Sequence, residues 1–155
     1  MVSSKIGRGI AMKRKFLIAA LVLVVALAFT LSGCKSPTPL THELFREKAE
    51  EAEFTVEKDG ADVSVATSPN GYTITLKIFS TDEAAKSAYS TREGLLPDGS
   101  SSSVKVDLPR HNFTKLTSGG RYYVIYRVGS TLLEIWDVDA SSKNEIADFL
   151  KSVGY

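Results

Sequence analysis

The sequence predicts one domain of the α+β class, an antiparallel sheet of about five to six strands with helices packed on one face. Two patterns indicate this fold. Short segments in which apolar and polar residues alternate follow one another through tight turns, which is typical of an antiparallel meander. Three other segments begin with helix-capping residues, so the predicted order of elements is α-β-β-α-β-β-β-β-α.

The first predicted helix covers roughly residues 41–53, because Thr41 is a good N-cap and Glu43 lies in the first turn. Its apolar residues form only a thin stripe, so we expect weak packing. Residues 54–56 are predicted to be extended. A short strand, Val63–Thr67, is expected to follow.

Residues 72–79 form the clearest strand, since apolar residues alternate with polar ones along it. The capping box Ser80–Glu83 then predicts a helix that runs to about Arg92. Alternation over residues 104–108 indicates another strand, and residues 113–116 a short one.

The last part of the chain predicts a hairpin and a helix. Arg121–Val128 and Thr131–Val138 are expected to pair through the two-residue loop Gly129-Ser130. A second capping box, Ser142–Glu145, precedes apolar residues at the spacing of a core-facing helical stripe.

The hairpin register predicts one candidate binding surface. If Val128 pairs with Thr131, one side of the hairpin is mostly apolar and pairs Tyr122 with Asp137 near its far end. The other side carries Tyr123, Ile125, Arg127, Leu132, Glu134 and Trp136. An exposed Trp and Tyr beside charged groups could stack on a sugar, peptide or aromatic ligand. The alternative is that a helix or second layer covers this side, and the aromatic pair only stabilises the sheet.

Composition excludes several classes of protein. The chain has 155 residues with 19 Lys and Arg against 18 Asp and Glu, and five of the basic residues but no acidic ones lie in the first 33. The remainder is therefore acidic, which argues against nucleic-acid binding. A hydrophobic fraction of 43% argues against disorder, and the single Cys excludes an internal disulfide or a Cys-based zinc cluster.

No catalytic, cofactor or metal pattern stands out, so we predict a protein that is not an enzyme. Asp137–Asp148 resembles an EF-hand loop, but Ser142 occupies the position where that loop needs Gly. Neither His42 nor His111 has a visible catalytic partner in the sequence. A hydrolase that uses His111 with a nearby carboxylate remains the enzymatic alternative.

The N-terminal segment predicts export of the protein from the cytoplasm. Lys13-Arg14-Lys15 precedes the uncharged run Phe16–Leu31, and a basic segment followed by an apolar one of this size is typical of a secretory signal. The run spans only about 24 Å as a helix, which is less than a bilayer core needs. Met12 is an alternative start, because it opens a more typical signal.

Leu31-Ser32-Gly33-Cys34 resembles the lipobox of bacterial membrane lipoproteins, in which an aliphatic residue, a small residue and Gly or Ala precede Cys. The resemblance implies cleavage between Gly33 and Cys34 and a diacylglyceryl lipid on the Cys34 thiol. Residues 1–33 are then a signal peptide, residues 34–40 the lipidated Cys and a Pro-containing tether, and residues 41–155 the folded domain. The alternative is an uncleaved anchor helix with a chance Cys.

The resemblance implies a lipid-anchored protein on the extracytoplasmic side of the cell membrane. Lys35 stands where an inner-membrane retention signal would carry Asp, so the inner leaflet of an outer membrane is the expected place in a two-membrane cell. The domain itself is similar to small lipoproteins of bacterial envelopes. We expect it to bind an envelope protein, a cell-wall fragment or another copy of itself, as a monomer or weak dimer. A structural subunit of an envelope complex is a further alternative.

Overall fold

The computed structural model describes residues 37–58 and 61–155. The predicted signal peptide, the lipobox, Cys34 and Lys35 lie outside the described residues. In the part of the chain that is described, no helix combines the length and the apolar character needed to cross a membrane.

A seven-stranded, wholly antiparallel sheet forms the centre of the domain. Its strands are β1 Thr55–Lys58, β2 Val63–Thr67, β3 Thr73–Ile78, β4 Ser102–Leu108, β5 His111–Ser118, β6 Arg121–Val128 and β7 Thr131–Asp139. They lie side by side in the order β1-β2-β3-β7-β6-β5-β4. The predicted α+β class with an antiparallel sheet is confirmed. The predicted count of five to six strands is wrong, because the extended segment after the first helix pairs with β2 as an additional edge strand.

The helices are α1 His42–Glu51, α2 Asp82–Glu93 and α3 Lys143–Ser152, the last preceded by a short 3-10 turn, Ala140–Ser142. The prediction that all helices share one face is wrong. Side chains of α1 and α3 join the main core on one face of the sheet, whereas Tyr89 of α2 packs with Ile125 and Leu132 on the other. The difference follows from topology. Since β3 is central and β4 is an edge strand, the connection between them crosses the sheet, and it does so on the face that α1 and α3 leave free.

The main core is built around aromatic rings from α1, from α3 and from Phe54, the residue before β1. Phe149 lies edge-on to Phe45 with 6.0 Å between ring centroids, and it stacks on Phe54 at 5.5 Å. Leu40, which the sequence assigned to the tether, is 2% exposed and belongs to this core. The packed domain therefore includes the end of the tether.

The helices begin close to the predicted positions, but the residues that cap them are not always the predicted ones. The Thr41 hydroxyl accepts a hydrogen bond from the Leu44 amide, as predicted. In α2 the cap is Thr81 rather than Ser80. Ser142 makes no side-chain cap bond to α3. Instead, Asp139 caps the preceding 3-10 turn by accepting from the Ser141 amide.

Candidate functional site

The side of the hairpin predicted as an open binding surface is largely buried. Ile125 and Arg127 are 0% exposed, Leu132 1%, Glu134 6% and Tyr123 8%. The expectation of an open face is therefore wrong for these five residues, because α2 lies across this face of β6 and β7. Trp136 alone of the six is partly exposed.

The predicted pairing itself is confirmed from Val128–Thr131 to Val124–Ile135. Sequence reasoning thus placed the side chains on the correct face, and their burial follows from the position of α2. Under α2 these side chains stabilise the fold through contacts with neighbouring residues. Glu134 lies 2.8 Å from the Lys77 ammonium and 3.5 Å from Nε of Arg92, so its carboxylate is balanced by two cations.

Arg127 holds two turns together. Its guanidinium donates to the Asn112 side-chain oxygen, to the Gly129 carbonyl at 3.0 Å and to the Pro109 carbonyl at 2.8 Å. The Asn112 amide in turn donates to Asp107. A charge with no exposure is tolerated here because its donors meet several oxygens. The residue stabilises the β4–β5 and β6–β7 turns and is not available to a ligand.

Trp136 lies at the open rim of the same face. Its ring meets the Tyr123 ring edge-on at 5.1 Å, and the Arg92 guanidinium carbon lies 3.8 Å from the ring centre. One face of the indole is therefore already occupied by a cation. The predicted contact between Tyr123 and Trp136 is present. Trp136 also packs against Arg92 of α2, so it connects α2 to β7, and only part of the indole is exposed.

Immediately after Trp136 the sheet is interrupted by a β-bulge. Tyr122 pairs with Val138, so the predicted Tyr122–Asp137 pair is wrong. Asp137 is the extra residue and takes a left-handed backbone conformation with φ of 57°. Such a conformation is uncommon for a residue other than Gly, and bulges of this kind re-aim side chains beside functional sites.

The bulge borders a cleft of about 320 Å³, which we take as the candidate functional site. It lies where β3 begins and β7 ends. Its walls are Asn70, Gly71, Tyr72, Thr73, Arg121, Trp136, Asp137, Val138, Asp139 and Ser142. The lining thus combines carboxylates, a guanidinium, hydroxyls, an amide and an indole edge.

Both carboxylates of the cleft are kept ionised. Arg121 and then Tyr123 donate hydrogen bonds to Asp137, at 2.9 and 3.0 Å, and these lower the pKa of its carboxyl group. The hydroxyl and amide of Ser141 lower the pKa of Asp139 in the same way. The Tyr72 hydroxyl keeps its proton, because burial raises its pKa. At neutral pH the cleft therefore presents two carboxylates as hydrogen-bond acceptors, which suits a ligand that carries hydroxyl groups.

The two histidines lie elsewhere. His42 Nδ1 is 2.6 Å from the Ser64 hydroxyl. The His111 ring stacks on Tyr126 at 5.1 Å, and burial followed by the nearby Arg127 charge lowers its pKa. Within residues 37–58 and 61–155, no hydrogen bond or ion pair joins His111 to a carboxylate. Among these described residues, the pair that the hydrolase alternative requires is not formed.

The cleft and Pro39 lie at opposite ends of the sheet. Pro39 packs so closely on the β6–β7 turn that a Cβ added to Gly129 would lie 2.9 Å from Pro39 Cγ, and Gly129 has φ of 55°. From this turn β7 runs through eight residue steps to Asp139, which at about 3.4 Å per step is roughly 27 Å. A ligand in the cleft would thus lie far from where the chain enters the domain.

The sequence contained a signal for this cleft that alternation alone missed. Apolar core positions on β7 follow a period of two at Leu133 and Ile135, and then recur three residues later at Val138. That change of phase indicates a one-residue insertion at Asp137. Alternation without this insertion places Asp137 opposite Tyr122 on the apolar side of the hairpin.

Comparison with solved structures shows one chain whose backbone fold is similar to this one. No protein family model and no curated protein matches the chain. The chain is similar to the crystal structure of a GTP-binding regulator from Thermotoga maritima, with 18% sequence identity and a TM-score of 0.49. The match covers 75% of this chain and 88% of that chain. The function of the present chain has to be inferred from its own residues.

Proposed function

We propose that this chain is an extracytoplasmic lipoprotein, held to a bacterial membrane by a diacylglyceryl group on Cys34, whose domain binds a partner rather than catalysing a reaction. The observation that carries the anchor is the complete match of Leu31-Ser32-Gly33-Cys34 to the lipobox, whose first residue is the last residue of the uncharged sixteen-residue run. Two acyl chains on one Cys give stable membrane attachment, whereas one chain alone would be marginal.

The binding role is supported by the positions of Pro39 and the cleft at different ends of the domain. Its chain enters at the Gly129 end, and the cleft opens at the other end of β7. The cleft therefore lies at the end of β7 opposite to Pro39, which leaves it open to a ligand at that end of the domain. We propose a hydroxyl-rich cell-wall glycan as the ligand, because ionised carboxylates accept hydrogen bonds from sugar hydroxyls, and the partly exposed Trp136 indole offers an apolar ring surface against which a sugar ring can pack.

The anchor is tested by replacing the lipidated residue. Cys34→Ser removes the only thiol in the chain, so we expect no incorporation of labelled palmitate and the accumulation of an unprocessed precursor that retains residues 1–33. Ser36→Ala is the matched control and should be lipidated normally. Cleavage of the Cys34→Ser chain with release of soluble protein would show that an ordinary signal peptidase acts here, and the anchor proposal would fail.

The cleft is tested by fluorescence, because Trp136 is the only tryptophan and lines it. Titration with soluble peptidoglycan fragments should change Trp136 emission saturably. Asp137→Asn should weaken binding by roughly 10-fold or more, the scale of one hydrogen bond to a charged group. Asn tolerates the left-handed conformation at this position, so the backbone should be kept.

Asp62→Asn is the control and should bind like the unmodified chain, because Asp62 is exposed and its carbonyl accepts a hydrogen bond from the Ile78 amide, at the end of β3 opposite to the cleft. If Trp136 emission does not respond to the fragments, or if both variants bind equally well, the cleft is not the glycan site. That result would leave the lipid anchor untouched.

A further inference from the structure

β4 is an edge strand that stays exposed along its length. Val104 is 56% and Leu108 53% exposed, and only Val106 is partly buried. Together with Leu95, these two are the large apolar side chains that the described residues expose most. An open edge strand presents unpaired backbone N–H and C=O groups, and natural proteins usually shield it.

The opposite edge of the sheet is shielded. β1 has only four residues, and α1 packs against β1 and β2. β4 has seven residues, and its Val106 pairs with Phe113 of β5, whose ring stacks on Tyr126 at 5.0 Å. An apolar strip therefore runs from the core out to the free edge at β4.

The two sides of β4 differ in character. Val104, Val106 and Leu108 share the side with the apolar strip, and Lys105 and Asp107 lie on the side that faces α2. Lys105 forms an ion pair with Glu93 of α2 at 2.8 Å but remains half exposed. A strand with apolar residues on one side and one cation and one anion on the other can be complementary to a reversed copy of itself.

We propose that β4 pairs with β4 of a second copy of this chain, antiparallel about a two-fold axis through Val106. In this register Lys105 lies opposite Asp107 of the second copy, and Val104 lies opposite Leu108. The symmetry repeats each pair, as an isologous interface requires. Directly opposed apolar pairs and directly opposed opposite-charge pairs both stabilise an antiparallel sheet.

Neighbouring registers are disfavoured. An axis through Lys105 or through Asp107 would place like charges directly opposite each other, which destabilises a sheet. Along β4, the backbone N–H and C=O groups of successive residues point alternately toward β5 and toward the free edge. An axis between two residues would place a residue of one kind opposite a residue of the other kind. Such a pair cannot form the antiparallel hydrogen-bond pattern. The axis through Val106 avoids both problems.

The pairing joins two sheets into one and merges the two apolar strips. Five residue pairs form a small contact compared with the interfaces of stable dimers, so we expect a weak dimer in free solution. Attachment of both copies to one membrane would raise their local concentration and strengthen the pairing. The inference does not depend on the lipid anchor, because every residue that carries it is in the folded domain.

Disulfide trapping tests the axis. The full chain carrying Cys34→Ser, purified in detergent, has no thiol of its own, so Val106→Cys supplies the only one. With copper phenanthroline as oxidant, we expect dimers to form at least 10-fold faster than with Lys86→Cys, an exposed control on α2. Equal rates for the two variants would overturn the proposal.

Mixing variants tests the register. Val104→Cys mixed with Leu108→Cys should form a mixed dimer, because these positions face each other across the axis. Each variant alone should react slowly, since two copies of residue 104 would be about 14 Å apart along the strands, beyond disulfide reach. If Val104→Cys alone reacts as fast as the mixture, the strands do not pair in this register and the proposal fails.

Discussion

At the scale of single residues, buried polar groups on β5 and β6 join the two hairpin turns to the sheet. Arg127 donates to oxygens from both turns, and Asn112 connects it to Asp107. His111 lies next to this group, on the face of β5 that carries the aromatic stack with Tyr126. A second positive charge there would be both desolvated and close to Arg127.

We predict that the free energy of unfolding decreases as the pH falls from about 7.5 to about 5. Burial, and then the Arg127 charge, lower the pKa of His111 in the folded domain, whereas the unfolded chain takes up its proton near pH 6.5. The unfolded state then binds more protons in this window, so acid favours unfolding. Urea unfolding of residues 37–155 at several pH values would measure the slope.

His111→Phe keeps a ring in the stack and removes the titrating group, so it should flatten this pH dependence. His42→Gln removes the other histidine and should leave the slope as it is. A slope that persists in His111→Phe and disappears in His42→Gln would assign the effect to the wrong histidine and contradict the account.

At the scale of elements, α3 is the helix whose sequence pattern predicted its packing best. Its apolar residues follow the i, i+3, i+4, i+7 spacing, and Ile146, Phe149 and Leu150 are all buried. The pattern succeeded because a helix on the main core needs one continuous apolar stripe. The predicted capping box at Ser142 is wrong, because Asp139 caps the 3-10 turn that leads into the helix.

Phe149→Ala should lower the free energy of unfolding by about 3–5 kcal/mol, because the ring is 3% exposed and packs on both Phe45 and Phe54. Denaturant unfolding monitored by circular dichroism would measure the loss. Leu95→Ala is the control. Leu95 is 61% exposed, so its truncation should change stability by only about 0.5 kcal/mol. Equal effects of the two changes would mean that α3 is not part of the core.

At the scale of the whole molecule, local patterns predicted the elements, and non-local topology decided what covers them. Alternation and the Gly129-Ser130 loop were sufficient for the register of β6 and β7. They could not show that β3 pairs with β7, because that contact joins residues about sixty positions apart. The strand order places α2 over Ile125 and Leu132, and it therefore determines that the predicted surface is closed.

The set of residues that lines the candidate cleft could not be predicted from the sequence for the same reason. Asn70 and Tyr72 come from the turn before β3, whereas Asp137 and Asp139 come from the end of β7. Only the pairing of these two strands brings them together. The anchor is different, because a lipobox is a local motif that needs no fold to be recognised.

The most direct test of the account is the mass of the N-terminal peptide from the membrane fraction of cells that express the full chain. The account predicts a peptide that begins at Cys34 and carries a diacylglyceryl group on its thiol. A peptide that still includes Gly33, or one that begins at another residue without lipid, would contradict the proposal that this domain is held to the membrane by Cys34.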